Sequence, residues 1–129
     1  GYAMARPEHA RALDRVREAF NASSLAQGAA LAALDDEAHV ERTRAVVDAE
    51  RAWLSARFDD LGLEHVPSVT NFLFTNLGSR AAAVNEALLS RGVVIRPMSA
   101  PGIESWARIS IGDRAGNERL VAALADALA

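Results

Sequence analysis

The stretch RGVVIRPMSAPGIESWARISIG, residues 91–112, decides how the second half of this chain folds. Its first apolar run, Val93–Arg96, predicts a strand, and the two prolines and the glycine of Pro97–Ser105 predict a loop. Apolar and polar side chains alternate from Trp106 to Ile111, which predicts a half-buried strand. If these two strands are neighbours, the stretch supplies half of a small sheet.

Strand and helix patterns continue on both sides of this stretch. They predict a short strand at Leu63–Val66, a turn at Pro67-Ser68, a strand at Asn71–Leu77, a helix that Ser79 caps and that runs to Arg91 before Gly92, and a last helix that Asp113 caps. The resulting order β-β-α-β-β-α favours a small sheet of three to four strands with helices packed on one face. We therefore expect an α/β fold of the α+β type over residues 63–129.

The first 62 residues have a different pattern, which is helical apart from one short strand. They predict a strand at Gly1–Ala5, a helix from Pro7 to about Arg17, a helix at Leu25–Leu34 capped by Ser23 or Ser24, and a long helix from Glu37 to about Leu61 between Asp35-Asp36 and Gly62. The second helix is almost entirely Ala and Leu, and a helix that is apolar all round is normally buried. We therefore expect residues 1–35 to belong to a larger neighbouring domain, residues 36–62 to form a connecting helix, and residues 63–129 to form a small domain.

Composition limits the chemistry that this chain can perform. It has 129 residues with no Cys, a formal net charge of −3, and 14 basic residues that are all Arg. The absence of Cys excludes disulfides and thiolate zinc sites, and the absence of Lys excludes lysine chemistry within the chain. The charges form no basic cluster of the kind that nucleic-acid binding usually shows, and no apolar run is long enough to cross a bilayer. We expect no metal, no nucleic acid, no membrane partner and a cytoplasmic location.

Two arginines lie where an apolar strand makes a charge unusual. Arg96 ends the run Val93–Arg96, and Arg108 lies inside the strand Trp106–Ile111. A guanidinium held in an apolar strand must be paired or must face a ligand, because burying it alone is costly, and its planar fork fits a carboxylate or a phosphate. Either the two arginines bind a substrate with two anionic groups at one end of the sheet, or each pairs with a local acid such as Glu104 or Asp113.

The other polar residues have simpler explanations. His9, His39 and His65 lie in different elements with no second ligand at metal-binding spacing, so surface or packing roles are expected. The segment Gly112–Gly116 is too short for a phosphate-binding loop and predicts a capped turn.

Three segments resemble, in the same order, segments of the histidinol-phosphate aminotransferases, which are pyridoxal-phosphate enzymes of aminotransferase fold type I. Residues 91–112, quoted above, resemble the C-terminal signature of this family. Residues 17–34, REAFNASSLAQGAALAAL, resemble its Phe-Asn turn and the Ala-rich helix that follows, and residues 66–74, VPSVTNFLF, resemble its Pro-Ser-x-x-Asn-Phe strand. Aromatic amino-acid aminotransferases and related phosphate-substrate decarboxylases share most of this pattern and stay as alternatives.

The resemblance implies a role for each of the two arginines. By position, Arg108 matches the arginine of the family that takes the substrate α-carboxylate, and Arg96 matches one that helps to hold the substrate phosphate. The resemblance places Asn21 in a motif near the dimer and active-site region, but we assign it no role. Ala107 departs from the leucine that the family more often has before Arg108. The implied reaction is amino transfer between glutamate and imidazole acetol phosphate, both small molecules, in histidine biosynthesis.

The resemblance also implies that pyridoxal phosphate is bound outside this chain. The lysine that forms the Schiff base is expected upstream of Gly1, so we expect the chain alone to bind no cofactor and to be inactive. As a fragment the chain is expected to self-associate, and the intact enzyme is expected to be a homodimer. The alternatives from other classes are a stand-alone domain that binds a small dianion with Arg96 and Arg108, and a purely structural interaction module.

Overall fold

A computed structural model describes residues 3–129. The chain forms two compact units, and the boundary between them lies between Ala38 and His39. The elements in chain order are the helices α1 (Pro7–Asp14), α2 (Ser24–Leu34) and α3 (Glu37–Asp60), the strands β1 (His65–Val66) and β2 (Phe72–Asn76), a 3-10 turn (Gly78–Arg80), helix α4 (Ala81–Ser90), the strands β3 (Arg96–Pro97) and β4 (Trp106–Ser110), and helix α5 (Arg114–Leu128). Within this described part of the chain, no helix combines the length and the hydrophobicity that crossing a bilayer requires.

The first unit contains α1 and α2, and all of its described residues are exposed. Helix α2 begins as predicted, because the Ser23 hydroxyl accepts a hydrogen bond of 3.2 Å from the Ala26 amide. The strand predicted at Gly1–Ala5 is not found at Ala3–Ala5, which is irregular, while Gly1 and Tyr2 lie outside the described residues. A strand needs a partner for its backbone hydrogen bonds, and the described residues of this unit contain no other strand.

Most of α3 belongs to the second unit. The helix ends before Gly62, whose φ of +68° is the left-handed conformation that stops a helix. Leu54 and Phe58 in the C-terminal half of the helix are fully buried in the core of this unit, whereas Val40 near its start is exposed. The predicted division into residues 1–35, 36–62 and 63–129 stays a prediction. The second compact unit starts at His39, before the predicted start of the small domain at residue 63, and it includes the C-terminal half of α3, which packs in its core.

The sheet of the second unit has four antiparallel strands in the order β1-β2-β4-β3, which confirms the predicted small sheet. Alternate residues Leu73, Ala107 and Ile109 are at most 1% exposed and pack with Leu88 of α4 and Leu124 of α5. The helices therefore cover one face of the sheet, as predicted. The other face, termed the open face, carries Val66, Phe72, Phe74, Arg96, Trp106, Arg108 and Ser110.

Two predicted details of the second unit are wrong. Ser79 does not cap α4, because Gly78–Arg80 forms a 3-10 turn before the helix and no side chain caps the helix start. Strand β3 contains only Arg96–Pro97 and none of the preceding valines. The Val93 amide donates a hydrogen bond of 2.9 Å to the Leu88 carbonyl at the end of α4, so it is not available for the sheet.

Candidate functional site

Arg96 and Arg108 lie directly opposite each other on neighbouring strands. Strand β3 pairs with β4 in antiparallel register, and the partner of Arg96 in that register is Arg108. Directly opposed residues of such a pair share a face and have Cβ atoms about 4.5–5.5 Å apart. Both side chains are exposed on the open face. From the sequence, the two arginines were expected to be neighbours only if their strands pair. In the structure the strands do pair.

Neither arginine has a carboxylate partner among residues 3–129. The two acids considered from the sequence make other hydrogen bonds. Glu104 accepts one of 2.9 Å from the Gly102 amide, and Asp113 accepts one of 2.8 Å from the Gly116 amide, where it caps α5 as predicted. Like charges directly opposite each other destabilise a sheet. A bound anion would relieve this repulsion, so the pair has the electrostatics of an anion-binding site.

Aromatic rings border Arg108 on the open face. The guanidinium carbon of Arg108 lies 5.1 Å from the ring centroid of Phe72, within the range of a cation–π interaction. Phe74 stacks on Trp106, with ring centroids 4.8 Å apart and ring planes at 19°. A shallow cavity of about 170 Å³ lies between Phe72 and the turn at residues 66–70. The surface beside Arg108 on this face is therefore largely aromatic and apolar.

The structure also contains a polar cluster that the sequence did not predict. Glu50 of α3, which is 7% exposed, accepts hydrogen bonds from Arg114 Nε at 3.0 Å and from Asn117 Nδ2 at 2.9 Å. Asn117 also accepts a hydrogen bond from the Gly112 amide (3.0 Å) and donates one to the Gly112 carbonyl (3.1 Å). The cluster therefore joins α3 to the turn between β4 and α5.

The two charges of this cluster neutralise each other. The Arg114 hydrogen bonds, followed by that from Asn117, hold the pKa of Glu50 below its ordinary value, and the hydrogen bonds to Glu50 raise the pKa of Arg114. Arg114 also lies 4.5 Å over the ring of Trp53. We assign the cluster a structural role. The sequence feature that indicates this cluster is the position of Glu50, which lies four residues before Leu54 and therefore on the same buried face of α3.

Two other residues discussed above, His65 and Asn21, make local contacts. His65 Nε2 lies 3.2 Å from Asp59 Oδ1, and its ring packs edge-on against Phe58. Asn21 accepts a hydrogen bond of 2.8 Å from Arg17. Over residues 3–129, no three His, Asp or Glu side chains come together closely enough to hold a metal ion. None of these contacts gives His65 or Asn21 a chemical role.

Comparisons with known proteins identify the family of this chain. Residues 1–124 match the family model of aminotransferase class I and II. The histidinol-phosphate aminotransferase of Moorella thermoacetica is 43% identical over 129 residues, which are 100% of this chain and 33% of that protein. That of Symbiobacterium thermophilum is 45% identical over 128 residues, which are 99% of this chain and 36% of that protein.

A solved structure shows the same fold. The crystal structure of histidinol-phosphate aminotransferase from Sinorhizobium meliloti in complex with pyridoxal-5'-phosphate matches with a TM-score of 0.86 and 31% identity. The match covers 95% of this chain and 34% of that one. The present chain therefore spans about a third of the length of the relatives that it matches.

Proposed function

The chain belongs to the family of class I and II aminotransferases, and from this premise we propose that it is part of a histidinol-phosphate aminotransferase. This enzyme moves an amino group between glutamate and imidazole acetol phosphate. The names of the two relatives described above support the proposal. The observation that carries it is the opposed pair of Arg96 and Arg108 without a carboxylate partner in residues 3–129, because the substrates of both half-reactions are anions.

In the proposed enzyme each arginine binds one anionic group. Arg108 binds the α-carboxylate of the amino-acid substrate, and Arg96 helps to hold the phosphate of imidazole acetol phosphate. A guanidinium carries parallel N–H donors that match the oxygen spacing of carboxylates and phosphates. Because the two arginines share one face in direct register, a single small substrate can reach both.

Pyridoxal phosphate is the cofactor of the proposed enzyme, and the residues of this chain do not fit its covalent attachment. The cofactor forms an imine with a lysine amine, and all 14 basic residues here are Arg. We propose that the lysine lies in a part of the enzyme outside this chain. The contribution of the chain is then to bind and orient the anionic end of a small-molecule substrate. For the full enzyme we also propose a homodimer in the cytoplasm.

The proposal is tested with a panel of amino acceptors on the full-length enzyme, with glutamate as donor. We expect a higher kcat/KM for imidazole acetol phosphate than for phenylpyruvate. The substitution Arg96→Ala should lower kcat/KM for the phosphorylated acceptor about ten- to a hundredfold and affect phenylpyruvate much less, since a charge-assisted hydrogen bond contributes about 1.5–3 kcal/mol. Arg108→Ala should impair the reaction with either acceptor, because glutamate carries an α-carboxylate.

Two results would contradict parts of this proposal. Equal losses for both acceptors in Arg96→Ala would refute the phosphate role and favour an aromatic amino-acid aminotransferase. A gene without a lysine-containing segment upstream of this chain would refute the proposed aminotransferase activity and favour a stand-alone domain that binds a small dianion.

A further inference from the structure

The Arg108 guanidinium contacts an aromatic ring rather than an acid. Its carbon lies 5.1 Å from the centroid of the Phe72 ring, and no carboxylate in residues 3–129 is within ion-pair distance of it. Phe72 lies on β2, where its partner in register on β4 is Ser110, so its ring reaches Arg108 along the diagonal. The pairing of two central strands therefore sets this contact.

Phe74 lies on the same strand and the same face but makes a different contact. Its partner in register is Arg108 itself, yet its ring stacks on Trp106 at a centroid distance of 4.8 Å. The open face thus contains two separate aromatic contacts, of which one involves the cation and the other does not.

The surroundings of Arg108 show why such a contact matters. The Arg108 side chain is exposed, and Arg96 lies directly opposite it. Repulsion from the Arg96 charge and the rotamer freedom of an exposed side chain therefore both oppose a single fixed position of the Arg108 guanidinium. Attraction to the π face of a ring opposes both effects without neutralising the charge. A carboxylate partner would also fix the guanidinium, but it would occupy the donors that an anionic ligand needs.

We propose that Phe72 is a positioning residue for anion binding by Arg108. The ring holds the guanidinium on the open face before the anion arrives, and it acts through Arg108 without touching the anion. A side chain that is already ordered loses less entropy on binding, so affinity rises. The inference rests on the proposed anion-binding role of Arg96 and Arg108 and adds a third residue to that site.

Substitutions in this chain test the inference by titration with inorganic phosphate at low salt. Phosphate is a small anion that the directly opposed Arg96 and Arg108 can bind together, and the NMR signal of the Arg108 Nε–Hε group reports its binding at Arg108. Phe72→Leu removes the ring and keeps the apolar bulk, whereas Phe72→Tyr keeps the ring. Phe74→Leu is the matched control, since it removes a ring from the same strand and face. We expect phosphate binding to weaken about two- to fivefold in Phe72→Leu and to stay at the wild-type level in the other two variants.

A second measurement, made without phosphate, reports the contact directly. The ring current of Phe72 should shift the side-chain proton signals of Arg108 upfield, and this shift should disappear in Phe72→Leu and persist in Phe72→Tyr. If the wild-type chain binds phosphate and Phe72→Leu binds it equally tightly, or if Phe74→Leu weakens binding as much, the positioning role is refuted while the proposed anion site stands. If the wild-type chain binds no phosphate, the proposed anion site itself is refuted.

Discussion

Replacing Arg96 by Gln should stabilise the free second unit and weaken its anion binding. Arg96 and Arg108 are opposed in register, so removing one charge removes a repulsion. Two unit charges about 6 Å apart in water repel by about 0.7 kcal/mol, which agrees with the roughly 0.2–1 kcal/mol of cross-strand pairs. We expect the free energy of unfolding to rise by about 0.5 kcal/mol at low salt. This gain should vanish near 1 M salt, where the Debye length is about 3 Å.

The same substitution should reverse the order of stabilities once phosphate is added. Loss of one charge-assisted hydrogen bond should raise the Kd for inorganic phosphate about ten- to a hundredfold. At a phosphate concentration of about 100 times the wild-type Kd, the wild type gains about 2.7 kcal/mol, whereas the variant gains only about 0.4–1.4 kcal/mol. Arg96→Gln should therefore be the more stable protein without phosphate and the less stable one with it.

Urea unfolding followed by tryptophan fluorescence measures both effects. The two tryptophans, Trp53 and Trp106, both lie in the second unit, so the signal reports that unit alone. Arg44→Gln is the control, because it removes the same charge from an exposed position of α3. A variant Arg96→Gln that is less stable than the wild type at low salt, or one that phosphate stabilises as much as the wild type, would show that the two arginines do not act as a pair.

The remaining predictions concern the buried cluster, the cofactor and the first unit. Glu50→Gln should destabilise the second unit at neutral pH. The difference in unfolding free energy between this variant and the wild type should shrink as the pH falls through the lowered pKa of Glu50, because a carboxyl group with a depressed pKa contributes stability only while it is ionised. Urea midpoints measured from about pH 7 down to pH 2 test this, and a difference that stays constant over the range would contradict it. Mixing the chain with pyridoxal phosphate should give no imine absorption band that survives dialysis, because the chain has no lysine; a surviving band together with transamination would contradict this. The chain should self-associate through residues 1–35, where Leu25, Leu31 and Leu34 are 82%, 68% and 56% exposed. Light scattering at several concentrations tests this, and a monomer at every concentration with strong hydrogen-exchange protection in residues 1–35 would refute it.

The faces of the sheet were predictable because a strand alternates its side chains with a period of two. In β4 this alternation alone assigns Ala107 and Ile109 to the core and Arg108 to the other face, as the structure shows. The length of β3 was not predictable in the same way. Val93 is apolar like a strand residue, but its amide caps α4, and that use depends on where the helix ends.

The candidate site was predictable in its charges and not in its supporting contacts. Arg96 and Arg108 stand out in sequence because each is a cation in an apolar strand, but their direct opposition depends on the register of β3 and β4. The hydrogen bonds of Glu50 join residues 64 and 67 positions away, and nothing in the local pattern specifies such partners. The contact between Phe72 and Arg108 likewise exists only once β2 and β4 are paired.

The two outer strands of the sheet have a consequence for how the protein aggregates. Strands β1 and β3 contain two residues each, and Pro97 in β3 has no amide hydrogen to donate. Neither edge of the sheet therefore presents a run of free N–H and C=O groups on which a strand of another molecule could form. Growth of the sheet from one molecule to the next, the first step toward fibres, is therefore disfavoured at both edges.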